Sequence, residues 1–268
     1  MADRPSWAPD DINLDLPSAS RMYDYYLGGM HNFAVDRAMA DRGAELWPDL
    51  PVIMRANRAF LSRAVKYVLD QGIRQLLDIG SGIPTGGNVH EIAHRVDPTT
   101  RVVYVDIDPV AVSHSRAILG DNPYTAVVHG DARVPEQILT DPAVRRLIDF
   151  DQPVGLLLVA LLHFIPDEAE PQRLVRRFVD ALPSGSFLVL SHFSNEGTPE
   201  QVDGLLRLSR ATPTPLTMRS RADITALFAG LDLVEPGVVY LPQWRPDDPR
   251  QDENVERFND FCGVARKP

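Results

Sequence analysis

The chain has 268 residues, 44% of them apolar and 24% charged, a balance that fits one large α/β domain with a buried core and excludes a disordered polymer. Its formal charge of -10 argues against tight binding to phosphate backbones, which depends on a basic surface. The single Cys262 leaves no intramolecular disulfide and no cysteine-built zinc site, the longest apolar run is too short for a bilayer, and MADRPSWAPDD lacks signal-peptide regions, so a soluble, cytoplasmic protein without a metal is expected.

Residues 1 to 17 carry three prolines and no periodicity and read as an extended arm. The stretch SASRMYDYYLGGMHNF then predicts a helix over about 18 to 28 that Gly28-Gly29 ends. On it Tyr23 and Tyr26 share a face while Tyr25 points elsewhere. Helical spacing recurs at 34 to 42 and 51 to 70, the last with Ile53, Phe60, Leu61, Ala64 and Val68 along one face.

From Arg74 the pattern changes to strands alternating with helices. RQLLDIG, RVVYVDID, YTAVVHGD, VGLLLVALL and GSFLVLSHF are the strands. The helices between them start at Asn88 and Pro109 and lie at about 142 to 149 and 168 to 181. Continuously apolar strands suit a parallel sheet covered on both faces. After Asn195 come helices near 199 to 210 and 221 to 230, then LDLVEPGVVYLPQW and FCGVARK, two closing strands that fit antiparallel at the sheet edge. The expected fold is α/β: a doubly wound, Rossmann-like, seven-stranded and mostly parallel sheet with an N-terminal helical extension. The division expected is 1 to 72 for arm and helical cap or lid, and 73 to 268 for the sheet domain.

LLDIGSGIPTGG, residues 76 to 87, is a strand ending in Asp78 that passes into a loop of glycines able to approach a ligand without a Cβ in the way. Asn88 followed by Glu91 has the form of a capping box for the next helix. Asp106 ends the next strand, 24 positions after Gly82, where an acid can accept from both ribose hydroxyls. Asp131 follows the third strand, where it can accept from the amine of adenine. A tight turn without a ligand explains the loop alone, and caps explain single acids, but three features at successive strand ends describe an adenosine pocket. A pyrophosphate is not indicated, since GSGIPTGG departs from G-x-G-x-x-G at Thr85 and no Walker loop occurs. Lys66 and Lys267 are preceded at the Tyr-x-x-x-Lys spacing by Ser62 and Gly263, which excludes the short-chain dehydrogenase pair.

Residues 76 to 192 resemble the core of class I S-adenosylmethionine-dependent methyltransferases, through LLDIGSG, YVDID and HGDAR. RMYDYYLGGMHNFAVDR together with DIGSGIPTGGNVHEIA resembles an actinobacterial S-adenosyl methyltransferase family of mostly unassigned substrate. Pro84 stands where the class pattern has its third glycine. The resemblance implies S-adenosylmethionine as cofactor, with Gly80, Ser81 and Gly82 near its methionine end and Asp78 facing the ammonium. It further implies Asp106 on the ribose, Ile107 against the adenine, and Asp131 with Ala132 at the adenine edge.

Methyl transfer from a sulfonium is an in-line displacement that needs a base only when the acceptor must lose a proton. LLHFIPD follows the fourth strand, and His163 there is a candidate base or a loop-orienting residue. His192 and Asn195 are candidates for the acceptor cavity or for loop capping, and Asp167, Glu168 and Glu170 read as a solvated helix start rather than a metal site. HFIP in place of N/D-P-P-Y/F, and Cys262 without an adjacent proline, direct the acceptor away from nucleic acid and towards a small molecule. The helical preface implies a lid in which Tyr23 and Tyr26 address the pocket or, equally, pack the preface onto the sheet. The alternative function is a non-catalytic S-adenosylmethionine- or S-adenosylhomocysteine-binding regulatory protein.

Overall fold

A computed structural model describes residues 13 to 248 and 254 to 268; most of the expected N-terminal arm, residues 1 to 12, lies outside the described residues. Three helices come first: α1 (Ala19–Tyr26), α2 (Ala34–Leu46) and α3 (Leu50–Asp70). The alternating part runs β1 (Gln75–Ile79), α4 (Val89–Val96), β2 (Arg101–Asp106), α5 (Pro109–Leu119), β3 (Thr125–His129), α6 (Pro135–Thr140), α7 (Pro142–Leu147) and β4 (Gly155–Val159). It continues with α8 (Pro171–Asp180), β5 (Phe187–Phe193), α9 (Pro199–Ser209), α10 (Arg221–Ala226), β6 (Asp232–Leu233), β7 (Val239–Tyr240) and β8 (Asp260–Arg266).

The sheet order is β3-β2-β1-β4-β5-β8-β6, with β7 also on β8. The first five are parallel, and β8 pairs antiparallel with β5, β6 and β7. The expected seven positions hold eight strand segments, because LDLVEPGVVYLPQW does not run as one strand. Pro236 and Gly237 (φ +86°) turn the chain between β6 and β7, and proline has no N–H for the ladder. The helix expected over 142 to 149 is α7, and α6 precedes it as a separate short helix that the sequence pattern did not single out. Pro142 cannot continue α6, and Asp141 caps α7 by accepting the Ala143 N–H at 2.7 Å.

Strand alternation builds two cores. Leu76, Val102, Leu157 and Val189 face α3 and α4 in one cluster, whereas Leu77, Val103, Leu156 and Leu188 join the other with Val144 of α7 and Phe178 of α8. Every other residue of each strand thus meets a different helix layer. Strand order reverses between β1 and β4, whose C-terminal ends therefore open a crevice of the kind where α/β sheets bind ligands. Among the described residues no helix is long and apolar enough to cross a membrane.

Candidate active site

Asp78, Asp106 and Asp131 lie at or just past the C-terminal ends of three adjacent strands, β1, β2 and β3. The glycine loop is pinned to the end of β2, where the Val105 carbonyl accepts the N–H of Gly80 at 2.8 Å and of Ser81 at 3.2 Å. Gly80 (φ +73°) must stay glycine, since a Cβ there would sit 2.6 Å from the Leu161 side chain. Gly82 (φ +67°) differs, for a Cβ there would meet no atom within 4 Å. That leaves the loop backbone open on a side where a ligand can approach.

Asp106 joins this loop to the turn after β2. Its carboxylate accepts the Gly82 N–H at 2.7 Å and the Asp108 N–H at 2.8 Å, and burial lifts its pKa to about 6. Ile107 is 47% exposed, a large apolar side chain turned to solvent at a strand end. Ala132 is buried, and Asp131 holds Arg133 through a close bidentate pair, with Nη2 at 2.6 Å, which lowers the acid's pKa. Asp78 is buried, and desolvation lifts it to about 7 against the opposing charge of Arg58. Asn88 and Glu91 interact as the sequence suggests, the Glu91 carboxylate accepting the Asn88 N–H at 3.0 Å.

The end of β4 is strained and braced. Ala160 has φ +53°, unusual for a residue with a side chain, and its N–H is accepted by Ser191 Oγ at 2.9 Å. Ser191 donates to Asn57 Oδ1 at 2.6 Å, Asn57 Nδ2 donates to the Tyr23 hydroxyl at 3.0 Å, and that hydroxyl donates to the Met54 carbonyl at 3.1 Å. A continuous polar chain therefore runs from α1 through α3 and β5 to β4.

The two candidate histidines sit in the wall between β4 and β5. His163, 2% exposed, accepts the Phe193 N–H on Nδ1 at 3.3 Å, and burial holds its pKa well below the ordinary value. His192 donates from Nδ1 to the Phe193 carbonyl at 2.7 Å, leaving Nε2 to accept from Arg219 Nη1 at 2.7 Å. Burial lowers its pKa to about 4. Both are neutral at pH 7 and packed by protein. Buried Arg219 also donates to the carbonyls of Leu162 and Ile165 and to Asp167, which fixes the loop after β4. Among the described residues no group of three or more His, Cys, Asp or Glu is gathered for a metal.

The stretch SASRMYDYYLGGMHNF folds against this site through residues that sequence reasoning did not single out. Asp24, 1% exposed, accepts the Thr85 hydroxyl of the glycine loop at 2.6 Å, the His31 N–H at 2.9 Å and Asn32 Nδ2 at 2.8 Å. Gly29 makes room for it, because a Cβ there would sit 1.9 Å from Asp24 Oδ1. The hydroxyls of Ser18 and Ser20 both donate to Asp108, so α1 bridges the glycine loop and the turn after β2. Tyr26 turns the other way, donating to the Ala40 carbonyl of α2 at 2.7 Å. A buried ion pair, Arg21 with Asp36, locks α1 to α2.

A profile described as S-adenosyl methyltransferase matches residues 5 to 268. No curated protein matches the chain. A crystal structure of a DUF574 family protein from Streptomyces avermitilis MA-4680 is 40% identical with a TM-score of 0.91, over 96% of this chain and 100% of that one. A candidate methyltransferase from Thermobifida fusca YX is 40% identical with a TM-score of 0.92, over 98% of this chain and 99% of that one. The mitomycin 7-O-methyltransferase MmcR, 17% identical with a TM-score of 0.51, covers 81% of this chain and 54% of its own, and shares the fold.

Proposed function

The chain belongs to the S-adenosyl methyltransferase family, and we propose that it transfers the methyl group of S-adenosylmethionine, the family's donor, to a small-molecule acceptor. One observation carries the site assignment: three acids at the ends of adjacent strands, beside a glycine loop whose Gly82 faces open space. Asp106 accepts the ribose hydroxyls with the lone pairs its two backbone donors leave free. Exposed Ile107 packs on the adenine face, Ala132 and Asp131 border its edge, and Asp78 meets the ammonium beside Gly80, Ser81 and Gly82.

The sulfonium supplies an electrophilic methyl group. The protein's task is to align an acceptor atom with it and exclude water, and the braced end of β4, at Ala160, stands next to β1 for that purpose. In the displacement the acceptor's lone pair forms the new bond to carbon while the carbon–sulfur pair returns to sulfur, and any acceptor proton leaves to solvent or to a base of the acceptor's own. His163 and His192, neutral and enclosed, shape the wall and keep its loop in place. The net charge of -10, the HFIP sequence after β4 and the buried Cys262 favour a small acceptor over nucleic acid. Helices α1 to α3 act as a cap over the cofactor, with Tyr23 bracing it.

Isothermal titration of S-adenosylhomocysteine into the protein and into Asp106→Ala tests the pocket. The variant is expected to lose about 2 to 3 kcal/mol, and equal affinity would overturn the assignment. Incubation with methyl-labelled S-adenosylmethionine and a fractionated cell extract tests turnover. Label is expected in the low-molecular-weight fraction; label in nucleic acid would refute the acceptor class, and none anywhere would favour a binding protein.

A further inference from the structure

Arg58 of α3 lines the same cleft as Asp78, Ser81, Gly82 and Asn88. Its Nε is buried, and no acceptor among the described residues reaches it. A guanidinium nitrogen held from water without an acceptor is unfavourable, and an incoming anion removes that penalty. The group is nevertheless held in place. Its Cζ lies 5.6 Å from the centroid of the Tyr23 ring, and Tyr23 is fixed by its bonds with Met54 and Asn57.

The charge of Arg58 reaches Asp78 and partly offsets the effect of burial on that acid, yet no direct ion pair joins the two. A cation from α3 and an acid from β1 thus face one cleft without neutralising each other by contact. Their charges complement the carboxylate and ammonium of an α-amino acid. We propose that Arg58 binds the α-carboxylate of the cofactor's methionine moiety while Asp78 takes the ammonium, so that the cleft recognises a zwitterion. This rests on the cofactor assignment above. Arginine suits the task, since its planar fork can donate two parallel bonds to a carboxylate. It makes Arg58 a specificity residue, selecting ligands that keep the carboxylate over decarboxylated or truncated ones.

Titration calorimetry at pH 7.5 with S-adenosylhomocysteine and with methylthioadenosine, which lacks the amino-acid end, tests this. Arg58→Met is expected to lose about tenfold or more in affinity for S-adenosylhomocysteine and to keep its affinity for methylthioadenosine, with Arg58→Lys intermediate. Equal losses for both ligands, or none, would overturn the proposal. Should Arg58→Met not fold, the wild-type protein decides: S-adenosylhomocysteine must bind about tenfold or more tightly than its decarboxylated analogue, and parity is fatal. A wild-type protein that binds S-adenosylhomocysteine while Arg58→Met loses nothing fails this inference alone. A wild-type protein that binds neither nucleoside ligand removes the cofactor assignment, and this inference with it.

Discussion

Asp260 sits in β8 with 1% of its surface exposed, its Oδ1 accepts the His192 N–H at 3.1 Å, and burial lifts its carboxyl to about 8. An unfolded aspartate titrates near 3.9, so between those values the native state keeps a proton that the unfolded chain has lost. Stability from this group is therefore greatest at low pH, falls as pH rises through the window, and levels off above about 8. Asp260→Asn keeps the acceptor for His192 and removes the titration. Urea unfolding at pH 5.5, 7 and 8.5 should show the variant gaining on the wild type by about 1 kcal/mol or more across the series, and a constant difference would show that Asp260 is ionised in the fold. At this scale the sequence was uneven as a guide. Asn57 breaks the apolar stripe of α3 between Ile53 and Phe60, a readable sign of a buried polar role. Asp24 and Arg58 carried no such sign, because the partners that give them meaning, Thr85 and Asp78, come from β1 and the loop after it and meet them only on folding.

The element with the most to reveal is α1. It is one helix of eight residues, too short to be stable alone, so its position is set by Asp24 on Thr85, the serines on Asp108 and Arg21 on Asp36. Two of those ties end on the segments proposed to hold the cofactor. If α1 closes over the site, hydrogen exchange across Ala19–Tyr26 should slow when S-adenosylhomocysteine saturates the protein, more than exchange in α9. Thr85→Val should raise α1 exchange in the free protein, by about 1 kcal/mol of lost protection, with the melting temperature nearly unchanged. Exchange that ignores the ligand would make α1 a fixed wall. Sequence spacing located the helix and its Gly28 stop but not its direction of docking. Tyr26 shows why: helical spacing puts it on the face with Tyr23, yet one hydroxyl reaches α3 and the other α2. The division of β6 from β7 had its cause in plain view in Pro236, but apolar runs on either side outweighed a single proline.

Across the whole molecule, the succession of parallel strands and the antiparallel close followed from apolar runs and their spacing, while the strand order and the relation of the helical preface to the sheet did not. One apolar cluster contains Trp47, Ile53, Phe60 and Val68 from the preface together with Leu76, Leu157, Val189 and Val264 from the sheet. Among the described residues no apolar cluster belongs to the preface alone, so nothing separate keeps it folded if the sheet melts, and we expect preface and sheet to unfold as one unit. Trp47 and Trp244 report from the two regions and are 1% and 0% exposed. In a Trp7→Phe background, tryptophan fluorescence and far-ultraviolet circular dichroism should therefore trace the same transition. Gly155→Ala gives the sharper test, because the added Cβ on central β4 would lie 2.6 Å from Leu76 and 3.1 Å from Val68 of α3. Overpacking of that kind costs about 1 to 3 kcal/mol. It should lower both transitions together by about 2 to 10 °C in a chain of this size. A fluorescence trace that splits into two transitions, the earlier one unmoved by Gly155→Ala, would mean that the cap unfolds on its own; a joint shift means that the helices over the cofactor site and the sheet beneath it share a single stability.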